Sequence, residues 1–215
     1  VTINATDRVI IHGMVVADGQ TGGGDNAGSG AGGSIKITTG VFEGSGGIRA
    51  DGGGSQTGGG GGRIFVGYSF LGSGTNDFAS LRNVTAAGGK GSSAPGSAGT
   101  VLLRKAGQAY GDLYLDATLT NATAALWSPL TPLGLGRSVV LTTNTLTLDG
   151  GIPILPGGLV GLTLRPNVNH PARFTIIENS ATTLTVAVTG GTNLTDVAAT
   201  GDLYAIDYRF DHVIL

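Results

Sequence analysis

The chain has 215 residues, 12% of them charged, a formal net charge of −2 and no cysteine. With no basic stripe and few aromatic residues it excludes a nucleic-acid surface, and no apolar run approaches the ~20 residues that span a bilayer. Glycine is extreme at 41 residues, yet it lacks the Gly-X-Y period of collagen, and the interleaved Ile, Val, Leu and Phe argue against disorder.

Residues 1–18 read as two strands, Arg8 to His12 and Met14 to Ala17, split by Gly13. Gln20 to Ala31 form a loop with almost no side chains. It is either a solvent loop or one that packs on its counterparts, backbone against backbone, as glycine permits. Ile35 to Thr38 and Gly47 to Ala50 are strands joined by residues 41–46, and Arg63 to Tyr68 is the next. Residues 69–82 are a turn-rich excursion, a third unit opens at Asn83, and Tyr110 to Asp116 is again strand text.

Through this region one pattern comes round three times. Val15-Val16-Ala17-Asp18-Gly19, a loop and Gly32-Gly33-Ser34-Ile35-Lys36-Ile37 return as Ile48-Arg49-Ala50-Asp51-Gly52, a loop and Gly61-Gly62-Arg63-Ile64-Phe65-Val66. The third copy is weaker, Val84-Thr85-Ala86-Ala87-Gly88, a loop and Ala98-Gly99-Thr100-Val101-Leu102-Leu103. Ala17, Ala50 and Ala86 lie 33 and 36 residues apart. Stacked repeats have such spacings, because one unit cannot bury its apolar face until a neighbour covers it.

From 117 the glycine thins: 29 of the 41 lie in residues 1–100. Trp127 sits among Leu126, Leu130, Leu133 and Leu135 and is expected to anchor a local core. Val139 to Thr143 and Thr145 to Asp149 are strands. Residues 150–208 hold four more, near Leu162–Leu164, Arg173–Ile177, Thr183–Val188 and Asp202–Ile206, separated by turn signals as in a small barrel or sandwich. The expected fold is therefore all-β: a β-solenoid, or parallel β-helix, with glycine-rich loops over 1–149, interrupted by a small β module at 150–208. Residues 209–215 then return as a strand to the solenoid or to the next subunit.

On the segments ADG-loop-GGSI, ADG-loop-GGRI and AGTVLLRK…YGDLYLD, residues 13–116 resemble a glycine-rich repeat of very large secreted bacterial proteins with adhesin-like, β-helical architecture. The stretch from Gly161-Leu162-Thr163-Leu164-Arg165 to Gly201-Asp202-Leu203-Tyr204 is similar to the small β module that interrupts such repeats. The resemblance implies a long extracellular fibre or surface layer, and it carries no catalytic residues.

Motifs for chemistry are thin. Gly23-Gly24-Asp25 starts like a calcium nonapeptide but lacks the second Gly-x-Asp. Asp18 and Asp51 occupy equivalent repeat positions and form weak metal candidates with Asp25, although Ala87 breaks the row and an Asp before Gly is ordinarily a turn residue. His12, His170 and His212 show no metal-ligand spacing, and there is no G-x-S-x-G elbow. A β-helical polysaccharide lyase or hydrolase would draw on Asp112, Asp116, Arg104 and Lys105, which read as solvated strand residues. Asn4, Asn83, Asn121 and Asn193 begin N-x-S/T sequons.

The chain opens and closes inside apolar strand text and no signal peptide starts at Val1, so the expectation is a mature segment or one unit of a longer array. The expected function is structural rather than enzymatic and needs no cofactor: end-to-end assembly into a filament, sheath or adhesive fibre outside a bacterial cell. The partner is the protein itself, or neighbouring covalent repeats. The assembly interface is expected at Val9, Ile10, Ile11, Met14 and Val16 at one end and at Phe210, Val213, Ile214 and Leu215 at the other. The competing reading is a carbohydrate-binding adhesin that displays Trp127, Tyr110, Tyr114 and Tyr204 to surface glycans.

Overall fold

Ile35 and Ile37 alternate with Ser34, Lys36 and Thr38, the period of a strand with one buried face. Both are almost fully buried, and the first hydrophobic core is built around them. The computed structural model describes residues 1–23, 27–72, 83–115, 130, 133–151 and 154–214. Two compact units divide the chain, Val1–Pro129 with Phe210–Leu215, and Leu130–Arg209. The described elements are strands, apart from a helical turn of four residues.

The first unit contains β1 (Thr2–Ile10), β2 (Met14–Val16), β3 (Ser34–Glu43), β4 (Gly47–Arg49), β5 (Arg63–Leu71), β6 (Val84–Thr85), β7 (Thr100–Lys105) and β8 (Asp112–Tyr114). β1, β3, β5 and β7 pair in parallel, each with its equivalent one sequence repeat on. This register stacks like on like: Ile35 on Ile64 on Val101, and Ile3 on Ile37 on Val66 on Leu103. A second parallel ladder, β2–β4–β6, stacks Val15 on Ile48 on Val84. Parallel bridges Gly28–Thr57 and Thr57–Ala94 mark a third line of contact between the loops. The aliphatic rows of the two ladders share one core, sealed by Ala50 and Ala86 at the repeat position.

The parallel run stops at β8, which pairs antiparallel with β7. A tight turn through Gly107, at φ +94°, reverses the chain there.

The second unit contains β9 (Leu135–Arg137), β10 (Val140–Leu141), β11 (Thr145–Thr147), β12 (Thr163–Arg165), β13 (Phe174–Asn179), β14 (Thr183–Val186), the turn α1 (Leu194–Val197) and β15 (Leu203–Asp207). Among the described residues these strands form one seven-stranded sheet, ordered β10-β11-β14-β13-β12-β15-β9 and antiparallel throughout. Only residues 138 and 139 separate β9 from β10, so the two ends of that order are one nearly continuous segment. Leu146, Leu164, Ile176, Leu184 and Leu194 fill the core. Residues 135–147, grouped by the sequence with the glycine-rich region, belong to this sheet, so the boundary falls at Pro129/Leu130 rather than near 149. Strand text specifies a strand but not its partner, and β11 finds Thr183–Thr185.

The chain then returns to the first unit, where β16 (His212–Ile214) pairs in parallel with β8. β1 and β16 are thus the two edges of a six-stranded sheet, running in opposite directions.

Candidate functional site

The loops of the first unit carry few side chains, so most of what they present is backbone. The six loop limbs are nevertheless ordered by hydrogen bonds that recur every three residues. Within successive repeats, Gly30 and Gly33 donate to Gln20 and Ala17, Gly59 and Gly62 to Gly53 and Ala50, and Gly96 and Gly99 to Gly89 and Ala86, at 2.6–2.9 Å. Between repeats, Gly53 donates to the Gly30 carbonyl at 2.9 Å and Gly89 to the Gly59 carbonyl at 2.8 Å. Three residues per turn is the period of a polyproline-II strand, and close lateral packing of such strands is what glycine permits. Of the two readings left open by the sequence, the loops take the packed one.

A carboxylate staple runs along the same stack. The Asp51 N–H donates to Asp18 Oδ1 at 2.9 Å, and the Ala87 N–H donates to Asp51 Oδ1 at 2.7 Å. The second oxygen of each is also used. Asp18 Oδ2 accepts from Arg49 at 2.7 Å, and Asp51 Oδ2 accepts the Thr85 hydroxyl at 3.2 Å. The Asp18 carboxylate raises the Arg49 guanidinium above its ordinary pKa, by hydrogen bonding first and charge second. Asp18 and Asp51 therefore hold the next repeat instead of serving as isolated turn residues. Asp25, the third metal candidate, lies outside the described residues. Among the described residues no group of three or more His, Asp or Glu side chains is placed to hold a metal ion. The sequence showed the two aspartates but not Arg49 as their partner. The usable signal was a donor directly before the repeat alanine, Arg49 and then Thr85.

At the edge, the expected interface residues divide. Val9 and Ile11, each 9% exposed, belong to the core, because strand alternation turns them inward. Ile10 and Met14 are 51% and 55% exposed, and Val16, Val213 and Ile214 are also exposed. Phe210 is half-buried, and Leu215 lies outside the described residues. Among the described residues β1 and β2 each have a strand neighbour on one side only, with Ile10 on β1 and Met14 and Val16 on β2, whereas Val213 and Ile214 lie on β16 at the opposite edge of the six-stranded sheet.

The expected sugar platform does not assemble as a set. Tyr204, at 3% exposure, is in the core of the second unit, and burial pushes its phenol up to about 12. Tyr114 packs against the first core, Tyr110 is half-buried, and Trp127 lies outside the described residues. Of the residues weighed for an enzyme, Asp112 is engaged by the Gln108 amide at 3.0 Å and by His212 at 2.7 Å. Arg104 donates to the Gln108 carbonyl at 3.3 Å, and Asp116 is outside the described residues. His12 faces the Ser45 hydroxyl at 3.4 Å, and His170 accepts the Ala172 N–H at 3.2 Å.

Compared with known proteins, the chain matches no family, no curated sequence and no solved structure.

Proposed function

We propose that the first unit is a β-solenoid and that the protein is a structural element of an extracellular fibre, sheath or adhesive stalk, lengthened by pairing at β1. The second unit is read as a small β-barrel carried on the solenoid. The supporting observation is the in-step register of the two parallel ladders, each of which, among the described residues, has no strand neighbour on the β1–β2 side. An edge strand with unpaired donors and acceptors next to exposed Ile10, Met14 and Val16 is a template for another strand. The staple adds polarity, since each aspartate holds the repeat that follows it and never the one before.

The partner is a second copy or a neighbouring covalent repeat. In a head-to-tail array the strand presented to β1 is β16, and because the two run in opposite directions their junction is antiparallel. This differs from the like-on-like parallel stacking inside the unit. Extracellular placement on a bacterial cell is part of the proposal and rests on the resemblance of the glycine-rich repeats to those of secreted adhesin-like proteins.

The test is size-exclusion chromatography with light scattering, alongside negative-stain imaging, on wild type, Ile10→Lys and a chain truncated before Arg209. Concentration-dependent oligomers or filaments are expected from wild type and soluble monomers from both variants. A wild type that stays monomeric at every concentration, or filaments of normal length from either variant, overturns the proposal.

A further inference from the structure

The second unit carries a polar groove on the sheet face opposite its core, and we propose that it binds a carboxylate-bearing sugar residue of the uronic-acid type. Leu164, Phe174 and Ile206 point into the core, so their strand neighbours Thr163, Thr175 and Asp207 point the other way. Register places these three side by side across β13, β12 and β15, with Thr175 and Asp207 each directly opposite Thr163. Around this row lies a depression of ≈ 350 Å³ lined also by Arg173, Phe174, Tyr208 and Arg209.

One atom there is unexplained by the fold. Thr163 is only 5% exposed, and among the described residues its Oγ1 is the buried side-chain polar atom that lacks a hydrogen-bond partner. Buried hydroxyls are normally satisfied, and leaving one unpaired is costly. Its neighbours are already positioned. Arg165 holds Asp207 from the same face, Nε to Oδ1 at 3.1 Å and to Oδ2 at 3.0 Å, while Arg173 Nε stands 3.8 Å from Oδ2.

The mixture of groups selects the ligand class. Arginine only donates, an ionised aspartate only accepts, and threonine does both. A sugar hydroxyl can give its hydrogen to Asp207 while accepting from Thr163, and a carboxylate matches the planar guanidinium of Arg173. A phosphate brings mostly acceptors and up to two negative charges towards Asp207, where a uronate brings one charge and several hydroxyl donors. A neutral sugar brings no anion to Arg173, whose Nη1 donates to the Pro171 carbonyl at 2.8 Å and whose nearest carboxylate oxygen stands 3.8 Å away. Tyr208 supplies an aromatic wall of the kind that covers a sugar's apolar face. The site lies wholly within Leu130–Arg209 and does not depend on whether the chain assembles.

The deciding experiment is an NMR titration of the isotopically labelled full chain, in parallel, with galacturonic acid and its trimer, with glucose and with inorganic phosphate. The uronates are expected to move the amides of Thr163, Arg173 to Thr175 and Asp207 to Arg209, while glucose and phosphate at equal concentration do not. Arg173→Ala is expected to weaken uronate binding at least about tenfold. Thr163→Val is expected to weaken it severalfold without lowering the melting temperature, which separates a ligand contact from a structural role. Arg173→Lys, which keeps the charge but loses the fork, is expected to fall between wild type and Arg173→Ala. Absence of uronate shifts, phosphate or glucose binding as tight as uronate, or unchanged affinity in both Arg173 variants overturns the proposal.

Discussion

Asp211 accepts the amide hydrogens of Tyr110 and Gly111 on a single oxygen, at 3.1 and 2.8 Å, and so ties the start of the returning segment to the turn before β8. These two donors, the Gly111 one first, hold its carboxyl below the ordinary aspartate range. A depressed carboxyl pKa means that the tie is fully present above the unfolded value and is lost as pH falls through the lower, folded value, which here lies below about 4. Protection of the Tyr110 and Gly111 amides, with intrinsic rates corrected for, is therefore expected to fall as the pH drops below about 4. Asp211→Asn keeps an acceptor oxygen but cannot titrate, so its exchange, corrected for intrinsic rates, should be flat over that range. Equal acid sensitivity in the two proteins would place the effect elsewhere. Asp18 and Asp51 use the same chemistry along the stack, each accepting a backbone N–H from the following repeat. A carboxylate aimed at backbone amides is thus the recurring fastener of the first unit.

At the scale of elements, strands and glycine limbs share the stabilisation of each repeat differently. Strands do it through aliphatic rows, where losing one methylene from a row such as Ile35–Ile64–Val101 costs about 1 kcal/mol. The limbs do it through backbone contacts that leave no room for a side chain. A Cβ built on Gly59 would fall inside the radius of the Gly30 carbonyl oxygen, and one on Gly62 would overlap that of Gly33. Backbone cannot swing aside as a rotamer can, so Gly59→Ala is expected to destabilise the protein by about 3 kcal/mol or more. Gly13, between β1 and β2, has nothing within 4 Å of the same construction and no positive φ. Gly13→Ala should therefore stabilise by up to about 1 kcal/mol through the unfolded chain. Chemical denaturation of both variants checks the pair, and similar losses in the two would mean that limb packing contributes nothing. The sequence carried the aliphatic rows openly, because alternation and the returning alanine are side-chain signals. It could not carry the three-residue bonding of the limbs, since glycine has no side chain to show a face. The pairing of Asp18 with Arg49 was hidden for another reason: the partners sit in different repeats, 31 residues apart.

On the scale of the whole molecule, the two units obey different pairing rules, parallel and like-on-like from β1 to β7 in one and antiparallel throughout in the other. The interruption itself was legible from the loss of glycine and the regular turns after 150, but its start was not, because Leu135 read as part of a core around Trp127 and β10 as strand text continuing the first region. A unit with its own core, entered at Leu130 and left at Arg209, should fold when expressed as residues 130–209. Tyr204 provides a readout tied to that core. Its phenol is raised to about 12, chiefly by burial and then by the Asp149 charge, so the folded unit keeps a proton that the unfolded chain releases near 10. Stability from this group is complete below about pH 10 and is lost as pH climbs towards about 12. The isolated module is expected to unfold cooperatively in that window, with tyrosinate absorbance from Tyr204 rising in step with the loss of sheet signal. Tyr204→Phe keeps the ring in the core and removes the proton, so its alkaline midpoint should move upward. In a Tyr208→Phe background, which leaves Tyr204 as the one tyrosine of residues 130–209, an absorbance rise near pH 10 ahead of any unfolding would mean that Tyr204 is open to water and the core is not closed around it. If residues 130–209 show no cooperative transition at all, the second unit depends on the rest of the chain.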